Sequence, residues 1–212
     1  MTAPQTPSDI IPAARAFLRD LSQNNSRDWF HDHKAQYDRV IKRPALSLLD
    51  ALTPLLTDLS GMAVKPKLFR PHRDMRFSED KTPYHTHMHL LWACPDGRGW
   101  FFGLAEDYAT AGAGIMVFDP DQLEVYREDV AGEDGAELQE ILARIAGRMD
   151  PPALKRVPPP HPADHPRADL LRRKGLVVWR DDLESAAPND PEVALRAAFT
   201  ELAPLQEWLE GL

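Results

Sequence analysis

The residues best equipped for chemistry lie together at positions 65–84, KPKLFRPHRDMRFSEDKTPY. Lys65, Lys67, Arg70, Arg73, Arg76 and Lys81 stand there against Asp74, Glu79 and Asp80, a local net charge of +3. The whole chain carries −8, so the remainder carries −11. A cationic concentration inside an acidic protein marks either an anion site or an ion-pair network. Arginine suits both, because its planar fork meets the paired oxygens of carboxylate or phosphate, as an ammonium cannot. The expected ligand-binding set is Arg70, Arg73, Arg76 and Lys81, with Ser78 and Thr82 counted beside them. As an enzyme, the segment would use Asp74 or Asp80 as base or metal ligand and Tyr84 or His165 as proton relay. As a non-catalytic binding or scaffold protein, it would use the same charges to hold a ligand or each other, Asp74 pairing with Arg70 or Arg76 and Asp80 capping a turn.

His85, His87 and His89 alternate directly after this segment. On a strand, alternate residues share a face about 7 Å apart. Two such imidazoles can meet one metal ion, and a further ligand would have to come from elsewhere, with Glu106, Asp107 or His72 as candidates. A third group closes the chain's inventory: His165, Arg172 and Lys174. If the proline-rich stretch before them crosses the sheet, His165 approaches the cationic cluster and can exchange a proton near neutral pH. His31 and His33, two apart on a helix, do not face each other. Cys94 has no histidine or asparagine signature beside it and reads as a small buried or strand-end residue. No P-loop, GxGxxG, HExxH, GxSxG or CxxC pattern occurs, so the common nucleotide, zincin, hydrolase and redox motifs are absent and the cofactor is left unknown.

These residues need elements to hold them. Apolar residues from Ile10 to Leu21 recur at helical spacing, and Asn24, Asn25 and Ser26 end that helix and cap a second one running from Arg27 to Ile41. Pro44 should end or kink the second helix, and a leucine-periodic third follows over 46–59, with Pro54 as a further possible kink. Residues 67–70 and 73–77 read as extended, and 85–93, 99–106 and 110–118 as strands, the first two joined by a turn at Pro95-Asp96-Gly97. Gly112 and Gly114 inside a strand signal a bulge or a close approach. Helices follow over 120–130 and 135–147, then a proline-rich crossing at 151–166. A helix over 168–174 capped by Gly175, a strand at 176–179 and a last helix over 190–210 complete the chain. Helices, then strands, then helices argue an α+β fold: an antiparallel-leaning sheet of about four to six strands packed by N- and C-terminal helices. Residues 1–212 are expected to form one domain.

The run Arg73-Asp74-Met75-Arg76-Phe77-Ser78-Glu79-Asp80-Lys81-Thr82-Pro83-Tyr84 resembles the R-D-x-R-F-S-x-D-K-T-P-Y signature of a widespread, mostly bacterial family known as domain of unknown function 2461. Phe17-Leu18 with Asn24, Asn25, Arg27 and Trp29-Phe30 is similar to its opening, and Gly112 and Gly114 with Pro120 to its centre. His165-Pro166 with Leu170-Leu171-Arg172, Lys174 and Gly175-Leu176 is similar to its tail. The resemblance spans about residues 10–210. It implies one compact domain and no particular reaction.

Composition removes other classes. With 33 acidic against 25 basic residues, duplex nucleic acid is disfavoured as a partner. Hydrophobic residues make up 43% of the chain, enough for a core and too many for overall disorder. One cysteine permits no internal disulfide. The N-terminal residues lack a signal-peptide pattern and no apolar run reaches membrane-spanning length, so a cytoplasmic protein without membrane attachment is expected. The remaining partner expectation is a small anionic ligand.

Overall fold

The computed structural model describes residues 10–74, 76, 78–145, 147–186 and 190–212. The expected extended stretch at 73–77 therefore lies partly outside the described residues, at Met75 and Phe77. Four helical segments precede the sheet: α1 (Ile10–Gln23), α2 (Arg27–Asp32), α3 (Lys34–Tyr37) and α4 (Arg43–Ser60). Ser26 caps α2 by accepting the Trp29 N–H. The expected long second helix is divided, and a π-helical turn at Asp38–Lys42 joins α3 to α4. That turn sets Pro44 in the first turn of α4, where its missing N–H costs nothing. α4 continues through Pro54, which faces solvent.

Six antiparallel strands form one sheet in the order β1-β2-β3-β4-β6-β5. They are β1 (Lys65–Leu68), β2 (His87–Ala93), β3 (Gly99–Ala105), β4 (Ala109–Ile115), β5 (Arg148–Met149) and β6 (Leu176–Arg180). Between β4 and β5 lie α5 (Pro120–Ala131) and α6 (Asp134–Arg144). α7 (Ala168–Leu171) precedes β6, and α8 (Leu183–Ala186) and α9 (Pro191–Leu209) end the chain. The α+β class is as expected. Two edge strands, β1 and β5, extend the four read from periodicity. α7 stops at Leu171 rather than at a Gly175 cap, because the chain must already be extended at Leu176 to pair with Ile115.

Register decides what the sheet buries. Met88, Leu90 and Trp92 of β2 share a face with Trp100, Phe102 and Leu104 of β3, with Ala111 and Ala113 of β4 and with Val178 of β6. All of them are buried. α1, α4 and α9 pack against the strands. The alanines of β4 leave room for α9, whose Phe199 meets Trp92 and Trp100 edge-on at 5.7 and 5.4 Å. The other face carries half-buried His87, His89, Leu91, Phe101 and Trp179. The close approach expected at Gly112 is real: a Cβ there would stand 2.3 Å from the Trp179 ring, which lies flat on the glycine. Gly114 takes a φ of +141° and passes beside the Leu176 carbonyl, which a Cβ would meet at 2.0 Å.

Candidate functional site

Residues 69–86 leave β1, form a loop and return as β2. Two backbone contacts close the loop's neck: His72 and Tyr84 form an isolated antiparallel bridge, and the His85 N–H donates to the Pro71 carbonyl at 2.7 Å. The loop is pinned to the helices at Tyr84. Its ring is buried and stacks on Phe30 at 4.0 Å. The Asn25 side chain bonds both backbone groups of Tyr84, donating to the carbonyl at 2.9 Å and accepting from the N–H at 3.1 Å. Tyr84, expected as a proton relay, is thus the loop's core anchor. Trp29 and Phe30 serve as packing residues, Trp29 stacking on His33 at 4.0 Å.

The arginines of the loop have separate tasks. Arg73 reaches across the loop, donating to Asp80, to Thr82 Oγ1 at 2.5 Å and to Ser78 Oγ at 3.4 Å. Its own N–H donates to the Pro83 carbonyl at 2.9 Å. The Thr82 N–H and Arg73 together hold the Asp80 carboxyl down at about 2. Arg76 grips Asp74 through Nε and Nη2, at 3.0 and 2.6 Å, and keeps that carboxyl below the ordinary range. Both pairs are saturated yet exposed: the Asp74 and Asp80 side chains are 48% and 56% exposed. This is neither a buried network nor an open set of free arginines. Lys81 is exposed and engaged within the protein. Arg70 forms no hydrogen bond or ion pair among the described residues.

Arg70 instead lines a cleft of about 360 Å³ with Phe69, His72, Asp74, His85, His87 and His89. The three alternating histidines do share one side, as their spacing implied, but they stack rather than splay. His87 and His89 lie 3.9 Å apart at 16°, and His85 and His87 4.7 Å apart. His89 Nε2 bonds the Tyr108 hydroxyl at 2.8 Å. Burial lowers the pKa of all three; Arg73 adds to this at His85, His85 adds to it at His89, and His87, repelled by His89, His85 and Arg73, falls to about 4. All three imidazoles are accordingly neutral at pH 7. The His87 and His89 rings are near-parallel, Glu106 is paired with Arg19, and among the described residues no group of three or more His, Cys, Asp or Glu is placed to hold a metal ion.

His165, Arg172 and Lys174 do not join the cluster. Lys174 precedes β6 at the end of the sheet where β2 finishes, whereas His87 begins β2 at the opposite end. Strand order adds three lateral steps, so the two groups occupy diagonal corners, about 14 Å apart across the sheet and about 20 Å or more along the strands. His165 Nδ1 accepts the Arg167 N–H, and Arg167 caps α5 through the carbonyls of Val130, Ala131 and Gly132. Arg172 pairs with Asp169.

Two contributors to the cleft were not read from sequence. Phe69 forms a wall, with the Lys67 ammonium 4.4 Å from its ring centroid, and Tyr108 fixes His89. A cation two residues before an aromatic is a weak signal for the first; nothing local announces the second. Cys94 is buried beside Ser60, and burial raises its thiol pKa. Compared with known proteins, residues 13–208 match the model of a family described as conserved hypothetical protein (DUF2461). No curated protein matches the chain.

Proposed function

The chain belongs to the DUF2461 family of conserved hypothetical proteins, and on that premise we propose that it binds a small phosphate- or carboxylate-bearing anion in the cleft between residues 69–74 and the histidine face of β2. One observation carries this reading: Arg70 lines the cleft without any hydrogen bond or ion pair among the described residues. Among the described residues its fork makes no hydrogen bond that a ligand would have to break, and its charge helps hold the Asp74 carboxyl low. Arg73 is occupied by Asp80, Thr82 and Ser78, and Asp74 is paired with Arg76. In this reading the two aspartates are partners of arginines rather than bases.

The histidines complete the site. Each neutral imidazole offers one N–H, and an anion placed against the ladder favours the protonated ring. Anion binding is therefore coupled to proton uptake and strengthens as pH falls. Lys65 and Lys67 add positive potential at the adjoining sheet edge, and the acidic remainder of the chain keeps polyanions away.

The probe that tests this is inorganic sulfate, whose charge is constant over the range concerned. Calorimetric titration should show affinity rising from about pH 8 to about pH 5.5. Arg70→Gln should weaken it about tenfold without altering the melting temperature, as loss of a charged hydrogen bond at an exposed site does. Equal sulfate affinity in the two proteins would sink the proposal. A structural reading is favoured for Arg73 and Arg76, since each takes its carboxylate from its own loop.

A further inference from the structure

A second cleft, of about 230 Å³, opens at the diagonal corner of the sheet and is lined by Met116, Val117, Asp150, Arg173, Lys174 and Val177, among others. Its chemistry is set by Arg173. That residue is only 8% exposed, yet it forms no ion pair among the described residues. Its one side-chain bond runs from Nη1 to the Asp150 main-chain carbonyl, at 2.7 Å. Its Nε is buried with no partner. The nearby carboxylate is spent elsewhere, since Asp150 binds Arg148 at 2.8 Å and the Trp179 indole at 3.2 Å. A buried guanidinium lacking an anion is costly, and the cost falls when an anion arrives.

The unfilled edge is informative. Arg76 holds Asp74, and Arg180 holds Asp182, through Nε and Nη2 together. Among the described residues Arg173 has no carboxylate on that edge, and its Nε is buried without a partner. Lys174 stands exposed on the rim, held there as its carbonyl accepts the Phe118 N–H at 2.9 Å. Beside these cations the rim is apolar and open: Met116 is 51% exposed and Val117 74%.

We propose that this cleft binds a carboxylate attached to a compact apolar group. The Nε/Nη2 edge of Arg173 takes the two oxygens side-on, Lys174 adds a point charge, and the apolar group covers Met116, Val117 and Val177. A planar carboxylate matches that edge in both spacing and plane. The same chemistry is presented by a free short branched acid and by the C-terminal carboxylate of a peptide ending in an aliphatic residue.

Isovalerate and N-acetyl-leucine, each titrated beside its amide, test the proposal and separate the two sources. Both acids should bind, and each amide should bind about tenfold more weakly, because it lacks the charge that the guanidinium requires. Tighter N-acetyl-leucine assigns the cleft to a chain terminus; tighter isovalerate assigns it to a free acid. Arg173→Lys keeps the charge and loses the edge, and should weaken binding by a similar factor. Lys174→Gln, at an exposed position, keeps the test decisive if the Arg173 variant does not fold, and should weaken binding severalfold. Equal binding of acid and amide, no binding of either acid, or unchanged acid binding in Lys174→Gln and in a folded Arg173→Lys would overturn the proposal.

Discussion

His87 shows how a single residue's surroundings set its chemistry. It begins β2 with His85 and His89 stacked on either side and Arg73 nearby. Burial first, and then its cationic neighbours, push its pKa down to about 4 from the ordinary 6.5. The unfolded chain therefore binds a proton in that window which the folded chain does not. Stability must then fall as pH drops from about 6.5 to about 4, and stay level with respect to this group below that. The carboxylates held low by arginine, such as Asp80 at about 2, act only at lower pH. We expect His87→Gln to remove about 2 kcal/mol of the loss across the upper window, the full shift being discounted for partial solvent screening. Chemical denaturation at a series of pH values measures it, and identical pH slopes in both proteins would refute the assignment.

At the scale of an element, the loop 69–86 is held by few but specific contacts: the His72–Tyr84 bridge, the Asn25 clasp and the Arg73 clip. Asn25 substitutes for a strand neighbour, satisfying both backbone groups of Tyr84 as a β-partner would. Asn25→Ala should cost about 1–3 kcal/mol, because it leaves a donor and an acceptor of Tyr84 unpaired in a part-buried place. The same variant should weaken sulfate binding although Asn25 does not line the cleft, since the loop that carries Arg70 loses an anchor. Hydrogen exchange at the Tyr84 and His85 amides reports it; unchanged protection there would show that the clasp is dispensable. Residue types alone marked this segment out, with six cations and three anions in twenty positions. They could not say which arginine was free, because Arg73 and Arg76 take their acids from within the loop only once the turn at 78–83 brings Asp80 and Thr82 back toward Arg73.

For the whole molecule, one buried apolar cluster runs from Ala14 in α1 through the strands to Leu209 in α9. This supports the proposal that residues 1–212 form one domain, and predicts a single cooperative transition, with calorimetric and van't Hoff enthalpies equal. Two resolved transitions would refute it. No helix among the described residues is long and apolar enough to cross a membrane. If the proposed anion binding holds, the net charge of −8 predicts that it is short-range and salt-sensitive and that added salt weakens it.

The sequence by itself determined the class of fold, the main helices and strands, and the segment in which charge is concentrated. Each of these is local: periodicity, capping and composition act within a few residues of one another. Only the tertiary structure decided which charges meet. Strand order and antiparallel register set Lys174 and His87 at opposite corners, so these groups do not share one site. Stacking set the three histidines in a neutral imidazole ladder. Burial singled out Arg173, whereas the sequence pointed to its neighbours Arg172 and Lys174. Partnering in space depends on how distant elements pack, and no spacing along the chain encodes it.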